Sequence, residues 1–232
     1  RGITLALAGS ANAVSVAEHT LALLLALARR VVRVDADVRA GRWQASVKPH
    51  LVELYGKRAL VIGGGRIGRR VARLFAAFGM QVEVFDPYLP ADTVWPEGVR
   101  RVDDRARALA AADVVTVHVP LNDETRGLLD PHAMKPGAIL LNTARGGIID
   151  EAQLLAALAD GHLGGAGLDV LVTEPATADH PLFAHPNLLV TPHCAASTDE
   201  GLRRMGLVCA ENIIECLAGR LGVENVVNPQ TL

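Results

Sequence analysis

The sequence predicts a doubly wound α/β fold, in which helices cover both faces of one parallel sheet. Two observations carry this prediction. Short apolar runs that end in Gly, Asp, Pro or Asn alternate with helical patterns along most of the chain. These runs are continuously apolar, which is typical of strands that are buried on both faces. With 232 residues, 50% of them hydrophobic, the chain is long enough to bury a substantial core.

Six strands and three helices make up the predicted sheet unit, and a fourth helix follows it. Asp150 can cap one helix, with Gln153 at the capping-box position, and Gly161 is suited to end it. Ser197 and Glu200 form a second capping box. The predicted strands are Ala59–Gly63, Gln81–Phe85, Val114–Val119, Ala138–Asn142, Gly167–Val170 and Leu188–Thr191, and the helices are Arg66–Phe78, Asp103–Ala112, Asp150–Asp160 and Ser197 to about Gly219.

Two helical segments do not fit inside that unit. One is a long Leu/Ala-rich helix predicted over Val14–Ala40, and the other is the C-terminal helix with the tail after it. The stretch Gly41–Leu54, with Trp43 and Pro49, is expected to form a linker or arm. Within the first helix of the sheet unit, one face is expected to be apolar and to pack inward, and its residues are Ile67, Val71, Leu74, Phe75 and Phe78.

Composition and charge exclude several classes of protein. Lys plus Arg number 23, Asp plus Glu number 25 and aromatic residues make up 3%, so a nucleic-acid or anionic-membrane partner is not indicated. The apolar run Leu21–Ala28 is too short to span a bilayer and lacks the basic flank of a signal peptide. The cysteines Cys194, Cys209 and Cys216 form no CxxC pair. We therefore expect buried free thiols in a reducing cytoplasm, without disulfides or a metal site.

A glycine-rich loop follows the first predicted strand. Gly63-Gly64-Gly65-Arg66-Ile67-Gly68 matches the pattern G-x-G-x-x-G, and a predicted helix begins at Arg66. In this context Gly63 permits a tight turn, Gly65 lets the backbone approach a pyrophosphate, and Gly68 lets the helix pack closely on the strand. The helix N-terminus attracts the phosphates through its free N–H groups and its dipole. The loop therefore predicts a Rossmann-type dinucleotide-binding domain.

An acidic residue ends the second predicted strand. Asp86 stands 23 residues after Gly63, where a carboxylate can accept hydrogen bonds from both hydroxyls of the adenine ribose and repel a 2′-phosphate. The neighbours Pro87, Tyr88 and Leu89 offer no basic side chain. We therefore predict NAD rather than NADP as the cofactor. The alternative is a turn-forming aspartate before Pro87.

Polar side chains follow four of the predicted strands, at the sheet edge where this fold class binds ligands. His193 is a candidate proton donor because the intrinsic pKa of histidine is near neutral. Glu174 can hydrogen-bond to it and favour imidazolium, and Arg145 offers a planar fork suited to a carboxylate and an adjacent carbonyl. Gly146 and Gly147 are expected to leave room for substrate and to let the chain turn. Each candidate has a structural alternative: a satisfied structural histidine, a loop acid or a surface salt bridge. The other histidines are expected to be structural or exposed.

Several stretches, in their order along the chain, form a specific combination. They are SVAEHTLALLLALAR (Ser15–Arg29), VIGGGRIG (Val61–Gly68), FDPY (Phe85–Tyr88), HVPLNDETRGLL (His118–Leu129), MKPGAILLNTARGGIIDE (Met134–Glu151), GLDV (Gly167–Val170), EP (Glu174–Pro175) and NLLVTPH (Asn187–His193). This combination resembles the D-isomer-specific 2-hydroxyacid dehydrogenases, which include phosphoglycerate dehydrogenase and the glyoxylate/hydroxypyruvate reductases. The chain departs from the family at Gly64, where a Leu is usual, and at Cys194-Ala195-Ala196, where a small hydrophobic-Gly stretch is common.

The resemblance implies an NAD-dependent oxidoreductase that interconverts a 2-oxoacid and a D-2-hydroxyacid. Arg145, Glu174 and His193 are its implied catalytic residues. It also implies a homodimer with the Val14–Ala40 helix near the two-fold axis. The cofactor contacts that we predict are Gly63, Gly65, Arg66, Ile67, Gly68, Asp86, Val119, Pro120, Thr143, Ala144, Arg145, Asp169, His193 and Ala195, with Asp169 near the nicotinamide amide.

The resemblance also sets an expected domain organisation. Members of the family open with a separate, flavodoxin-like substrate lobe. We expect residues 1–12 to be the end of such a lobe, residues 13–194 to be the NAD-binding domain, and residues 195–232 to be a helix and tail that return to the lobe. Two alternatives to a complete enzyme stay open: an NAD(H)-binding, corepressor-like sensor module, and a fragment that binds dinucleotide without turning substrate over.

Overall fold

The structure, a computed structural model, describes residues 2–44, 51–90 and 92–231. In this part of the chain the strands are β1 (Arg58–Ile62), β2 (Gln81–Phe85), β3 (Val99–Arg101), β4 (Val114–Val117), β5 (Ile139–Asn142), β6 (Gly165–Leu168) and β7 (Leu188–Val190). All pair in parallel, in the order β3-β2-β1-β4-β5-β6-β7. The helices are α1 (Ala13–Ala28), α2 (Val31–Arg39), α3 (Arg66–Ala77), α4 (Arg105–Ala111), α5 (Glu151–Ala159) and α6 (Asp199–Leu217).

The strand order creates a crevice at the carboxyl ends of β1 and β4. From β1 the chain runs outward through β2 to β3, and it then returns to the far side of β1 to begin β4. The connections that leave β1 and β4 therefore diverge in opposite directions. In open parallel sheets, ligands bind at such a point.

Both faces of the sheet are buried, which explains why its strands are continuously apolar. Successive residues of a strand point to opposite faces. In β1, Leu60 and Ile62 join a core cluster with residues of α4 and α5, whereas Ala59 and Val61 join a second cluster with residues of α1 and α3. The predicted doubly wound fold class is confirmed.

The predicted elements agree with the structure to within two residues at each end, apart from one missed strand and one divided helix. The strand predicted at Gly167–Val170 lies two residues earlier, as Gly165–Leu168. Its small residues let α1 pack closely, since a Cβ on Gly167 would lie 3.2 Å from the Cβ of Leu23. The missed strand β3 is short and contains two arginines at the sheet edge, so it carries no apolar signal.

The long helix predicted over Val14–Ala40 is wrong, because the chain breaks into α1 and α2 at Arg30. Arg30 has a left-handed backbone, with φ of 49°. Helix α1 packs on α3 and the sheet, whereas none of the residues of α2 is buried. The apolar pattern continues through the break, with Val31 and Val32 after it, so the sequence carries no stop signal there.

The capping predictions are confirmed for α5 and corrected for α6. The Asp150 carboxylate accepts hydrogen bonds from the amides of Ala152 and Gln153, and Gly161 follows the helix with φ of 78°. At α6 the cap is Thr198, whose hydroxyl accepts a hydrogen bond from the Gly201 amide at 2.9 Å, rather than Ser197.

The terminal segments pack on each other. Ala6 forms an antiparallel bridge with Val226, flanked by hydrogen bonds from the Leu7 amide to the Asn225 carbonyl and from the Val227 amide to the Leu5 carbonyl, both 2.8 Å. The tail after α6 therefore meets the start of the chain.

Residues 45–50 of the predicted linker, including Pro49, lie outside the described residues.

Two expectations about individual side chains need correction. The cysteines are free, as predicted, but none is fully buried, and Cys209 is exposed. Phe78 was predicted on the inward face of α3, yet it caps the helix end and is 41% exposed. No helix in the described ranges is long and apolar enough to cross a membrane.

The two phenylalanines of this helix provide a test of the packing. Phe75→Ala should lower the free energy of unfolding by about 3–5 kcal/mol, because the ring is fully buried. Phe78→Ala is the matched control and should cost about 1 kcal/mol or less. Urea unfolding measures both changes, provided that each variant keeps the m-value of the wild type. Equal costs would contradict the packing of α3.

Candidate active site

The glycine loop between β1 and α3 has the geometry that the motif requires. Gly63 has φ of 94°, and a Cβ there would lie 2.5 Å from the carbonyl oxygen of His118. A Cβ on Gly68 would lie 1.9 Å from the carbonyl oxygen of Gly63, so the helix touches the strand end. Around Gly65 there is open space for at least 4 Å. The loop therefore leaves a free approach to its backbone at the N-terminus of α3, as a pyrophosphate site needs.

Gly64, the departure from the family pattern, lies against two side chains that are packed close to its backbone. A Cβ at this position would lie 2.5 Å from Leu89 and 3.0 Å from Trp95. These side chains fill the space that a leucine side chain would occupy. The guanidinium of Arg69 lies 5.1 Å from the Trp95 ring and donates a hydrogen bond to the Gly64 carbonyl oxygen at 3.0 Å.

Asp86 follows β2 and holds the glycine loop from the other side. One carboxylate oxygen accepts a hydrogen bond from the Gly64 amide at 2.8 Å, and the other accepts one from the Tyr88 amide at 3.0 Å. The Tyr88 hydroxyl donates to the carboxylate of Glu124, which raises the pKa of the phenol. Two carboxylates thus lie at this end of the crevice.

His193 and Glu174 form a hydrogen-bonded pair. The distance from His193 Nδ1 to a Glu174 carboxylate oxygen is 2.7 Å, and the other Glu174 oxygen accepts the Leu171 amide at 2.9 Å. Burial acts to raise the pKa of Glu174, but these two hydrogen bonds and the charge of Arg145 outweigh it, so the pKa lies below its usual range. The glutamate is therefore an anion at neutral pH.

The backbone of His193 is held in an uncommon conformation. Its φ is 53°, in the left-handed region that residues other than glycine rarely adopt. Its amide donates to the carbonyl oxygens of Asp169 at 2.8 Å and of Thr191 at 3.0 Å. Strained backbone of this kind is concentrated at functional sites and needs support from its surroundings.

Arg145 lies on the loop after β5. Its side chain is exposed, and one guanidinium nitrogen donates to the Ala144 carbonyl oxygen at 2.6 Å. Gly147 turns the chain with φ of 82°, as predicted. The expectation that Gly146 leaves room for substrate is wrong, because a Cβ there would lie 2.0 Å from the Leu171 carbonyl oxygen.

One cavity of about 610 Å³ brings most of the predicted cofactor contacts together. It lies at the carboxyl ends of the strands, and Arg145 and His193 both line it. Glu174 lines a neighbouring cavity of about 720 Å³, which shares His193 and Asp169 with the first. The predicted residues in the first cavity are Ile67, Val119, Pro120, Thr143, Ala144, Arg145, Asp169, His193 and Ala195, whereas Gly63, Gly65, Arg66, Gly68 and Asp86 are not part of its lining.

Asp169 is a buried carboxylate at the end of β6. One oxygen accepts hydrogen bonds from the Thr191 hydroxyl at 2.6 Å and from the Cys194 amide at 2.9 Å, and the other accepts the Ala195 amide at 2.9 Å. His19 reaches the same cluster from α1, with its Nε2 2.9 Å from the Thr191 hydroxyl oxygen. The carboxylate therefore organises the loop that carries His193.

Five residues of the cavity were missed by the sequence analysis. Asn12 and Val16 belong to the start of α1, a segment that the sequence pattern sets apart from the sheet unit. His118 was grouped with the structural histidines, and burial lowers its pKa to about 3, so it is neutral. A single histidine or a helix start carries no sequence signal for a pocket. The missed residues are Asn12, Val16, His118, Leu121 and Ala196.

Comparison with known proteins identifies the family. Residues 21–195 match the D-isomer specific 2-hydroxyacid dehydrogenase family, NAD binding domain. The chain belongs to this family. It is 43% identical over 231 residues to a D-3-phosphoglycerate dehydrogenase of Archaeoglobus fulgidus, covering 98% of this chain and 43% of the relative. A D-3-phosphoglycerate dehydrogenase of Bacillus subtilis is 40% identical over 232 residues, with the same coverage. The chain thus spans under half the length of these curated relatives.

Solved structures agree with the fold. A protein from Thermus thermophilus superposes with a TM-score of 0.86 at 42% identity, covering 98% of this chain and 72% of that one. A D-lactate dehydrogenase from Aquifex aeolicus, complexed with NAD and lactic acid, superposes with a TM-score of 0.82 at 31% identity, covering 92% and 69%. The cofactor of this family member is therefore a nicotinamide dinucleotide, NAD. The open space beside Gly65 fits that group.

The glycine loop allows binding to be separated from folding. Gly65→Ala should leave the fold intact, because the backbone φ of −71° suits alanine and the added Cβ meets nothing. It should weaken NADH binding by about tenfold or more, since the Cβ occupies the path of the pyrophosphate. Gly68→Ala is the contrast and should lower the melting temperature, because its Cβ has no room. Fluorescence titration with NADH and thermal unfolding measure the two effects, and unchanged NADH affinity in Gly65→Ala would contradict the role of the loop.

Proposed function

We propose that this chain carries the cofactor site and the catalytic residues of an NAD-dependent oxidoreductase that interconverts a 2-oxoacid and a D-2-hydroxyacid. The observation that carries the proposal is the 2.7 Å hydrogen bond between His193 and Glu174, at a cavity that Arg145 also lines. When bound, the nicotinamide ring of the cofactor supplies or accepts a hydride at C2 of the substrate. The three side chains handle the proton and the charge of the substrate.

His193 is the proposed proton carrier. Its Nδ1 is engaged by the Glu174 carboxylate, so Nε2 is the nitrogen that gives a proton to the substrate oxygen during reduction and takes it back during oxidation. Glu174 stabilises the charged ring because its own carboxylate stays ionised, with its pKa below the usual range. Glu174 is thus a positioning residue that holds the ring of His193 through its Nδ1.

Arg145 is the proposed substrate anchor. Its guanidinium is exposed at the cavity and can present parallel N–H groups to a carboxylate and the adjacent carbonyl oxygen. This charge also stabilises negative charge that develops on the substrate oxygen. The curated relatives are named D-3-phosphoglycerate dehydrogenases, so 3-phosphoglycerate and its 2-oxoacid are the first substrates to assay.

We also propose a homodimer in the cytoplasm. Helix α2 buries none of its residues, and Val31 and Val32 are more than half exposed, which suits contact with a second copy near α1 and α2. The free cysteines suit a reducing compartment.

Cofactor selectivity follows from the acidic end of the crevice. The chain should bind NADH at least about tenfold more tightly than NADPH, because the 2′-phosphate would face the carboxylates of Asp86 and Glu124. Fluorescence titrations of the two dinucleotides under one buffer measure the ratio. Equal affinities, or a preference for NADPH, would contradict the proposal that Asp86 selects NAD.

The proton role of His193 is tested in the longest protein that contains this chain. His193→Ala should lower kcat by about 10²–10⁴-fold and leave NADH affinity nearly unchanged. Stopped-flow oxidation of NADH with a panel of 2-oxoacids measures turnover. Loss of NADH binding in this variant would mean that the assignment is wrong, and tight NADH binding without turnover in the wild type would favour a sensor module.

The Glu174→Gln variant shows how the glutamate acts. Glutamine keeps the shape of the side chain but removes the negative charge beside the His193 ring, so the variant should change the pH dependence of 2-oxoacid reduction and not only its rate. The readout is kcat/KM as a function of pH. A uniform loss at every pH would show that Glu174 does not act through the proton on His193.

A further inference from the structure

Three side chains of metal-ligand type meet beside the cofactor cavity. His19 comes from α1, Asp169 follows β6 and Cys194 follows β7. One nitrogen, one oxygen and one sulfur from these residues all lie within 4.8 Å of one another, and His19 Nε2 is 3.7 Å from a carboxylate oxygen of Asp169. Zinc takes these three ligand types at bond lengths of about 2.0–2.3 Å, which places ligand atoms about 3.3–3.8 Å apart around a tetrahedral ion. From a separation of 4.8 Å, the ligand atoms would have to approach one another by about 1–1.5 Å to reach these distances.

The charge of Asp169 favours a cation here. Its side chain is 0% exposed, and its hydrogen-bond donors, the Thr191 hydroxyl and two backbone amides, are neutral. In the part of the chain that the structure describes, its one ion-pair partner is His19, which is charged only when protonated. A buried carboxylate without a counterion is costly. A divalent ion bound by a carboxylate, a thiolate and a neutral imidazole gives a neutral site.

Cys194 supplies the ligand that distinguishes this cluster from an ordinary polar network. Burial and the neighbouring carboxylate of Asp169 raise the pKa of its thiol, so the sulfur keeps its proton in the metal-free chain. Metal binding exchanges that proton for the ion: the S–H bond breaks, a metal–sulfur bond forms, and the proton leaves to solvent. No electron transfer is involved.

We propose that His19 Nε2, an Asp169 carboxylate oxygen and Cys194 Sγ bind a divalent cation of the zinc type, and that this ion and the nicotinamide dinucleotide exclude each other. The binding site stands on the geometry alone. The exclusion rests on the proposed function, because Asp169 is a predicted cofactor contact and lines the 610 Å³ cavity.

The surroundings are suited to hold the ion. The Ala195 amide fixes one oxygen of Asp169 at 2.9 Å. The Thr191 hydroxyl, which now bridges His19 and Asp169, can stay bonded to the carboxylate as an outer partner that orients it. The His19 side chain is 22% exposed, so the cluster is accessible from solvent and a water can take the fourth position.

The test is a titration of the metal-free chain with Co²⁺ alone, with a phosphine as the reductant in place of a dithiol, which would chelate the metal. One equivalent should give the thiolate-to-cobalt charge-transfer band in the near ultraviolet, and Zn²⁺ should abolish it by displacement. Cys194→Ser should remove the band and weaken Zn²⁺ binding by about tenfold or more. Cys209→Ser, at an exposed cysteine elsewhere, is the matched control and should keep both. His19→Gln should keep a thiolate band but need more Co²⁺ to reach it.

The outcomes separate the two parts of the proposal. No band in the wild type, or a band that survives Cys194→Ser, overturns the site. NADH added to the Co²⁺-loaded chain should release the ion. The visible d–d bands of the bound Co²⁺, which the absorbance of NADH does not overlap, report this release. Bands that persist at NADH concentrations that saturate the metal-free chain overturn the exclusion. If the metal-free chain binds no NADH by fluorescence, the proposed function and the exclusion both fail, and the cobalt titration still decides the site.

Discussion

The carboxylate of Asp169 lies wholly inside the protein and accepts hydrogen bonds from three donors of the segment after β7. The carbonyl oxygen of the same residue accepts the amide of His193. One residue that follows β6 therefore fixes the backbone on both sides of His193. A left-handed backbone at a residue other than glycine costs of the order of 1–3 kcal/mol, and this network offsets the cost. The position of His193 against Glu174 is thus a consequence of a buried charge at the end of the neighbouring strand.

Close approach of backbones is the second constraint on the site. Gly68 lets α3 touch the carbonyl of Gly63, and Gly146 lets the loop after β5 lie against the carbonyl of Leu171. The amide of Leu171 in turn donates to Glu174. The loop that carries Arg145 and the segment that carries Glu174 are therefore positioned by a contact that only glycine permits. The glycine after Arg145 thus serves the placement of two charged side chains, and not the space for a substrate.

The sequence predicted the parts of this protein that local patterns determine. Apolar runs and turn chemistry predict the strands, the glycine loop and the polar residues after each strand. Nine of the cofactor contacts predicted in this way line one cavity. What could not be predicted depends on contacts between distant segments. Asn12, Val16 and His19 reach the site because α1 packs on the sheet, and the apolar pattern of that helix continues past the break at Arg30. The cap of α6 is Thr198 and not the predicted Ser197, and the Thr198 hydroxyl oxygen also lies 2.8 Å from the Ser15 hydroxyl oxygen of α1.

The adenosine end of the crevice shows how the chain accommodates Gly64 where a leucine is usual. Trp95 and Leu89 fill the space, and both backbone groups of Gly64 are held: its amide by the carboxylate of Asp86, its carbonyl by the guanidinium of Arg69. The acid expected to select the cofactor is therefore also a support of the phosphate loop. Replacing Asp86 to admit a 2′-phosphate would release the Gly64 amide at the same time. Cofactor choice and loop geometry are coupled through this carboxylate, so neither can be changed alone.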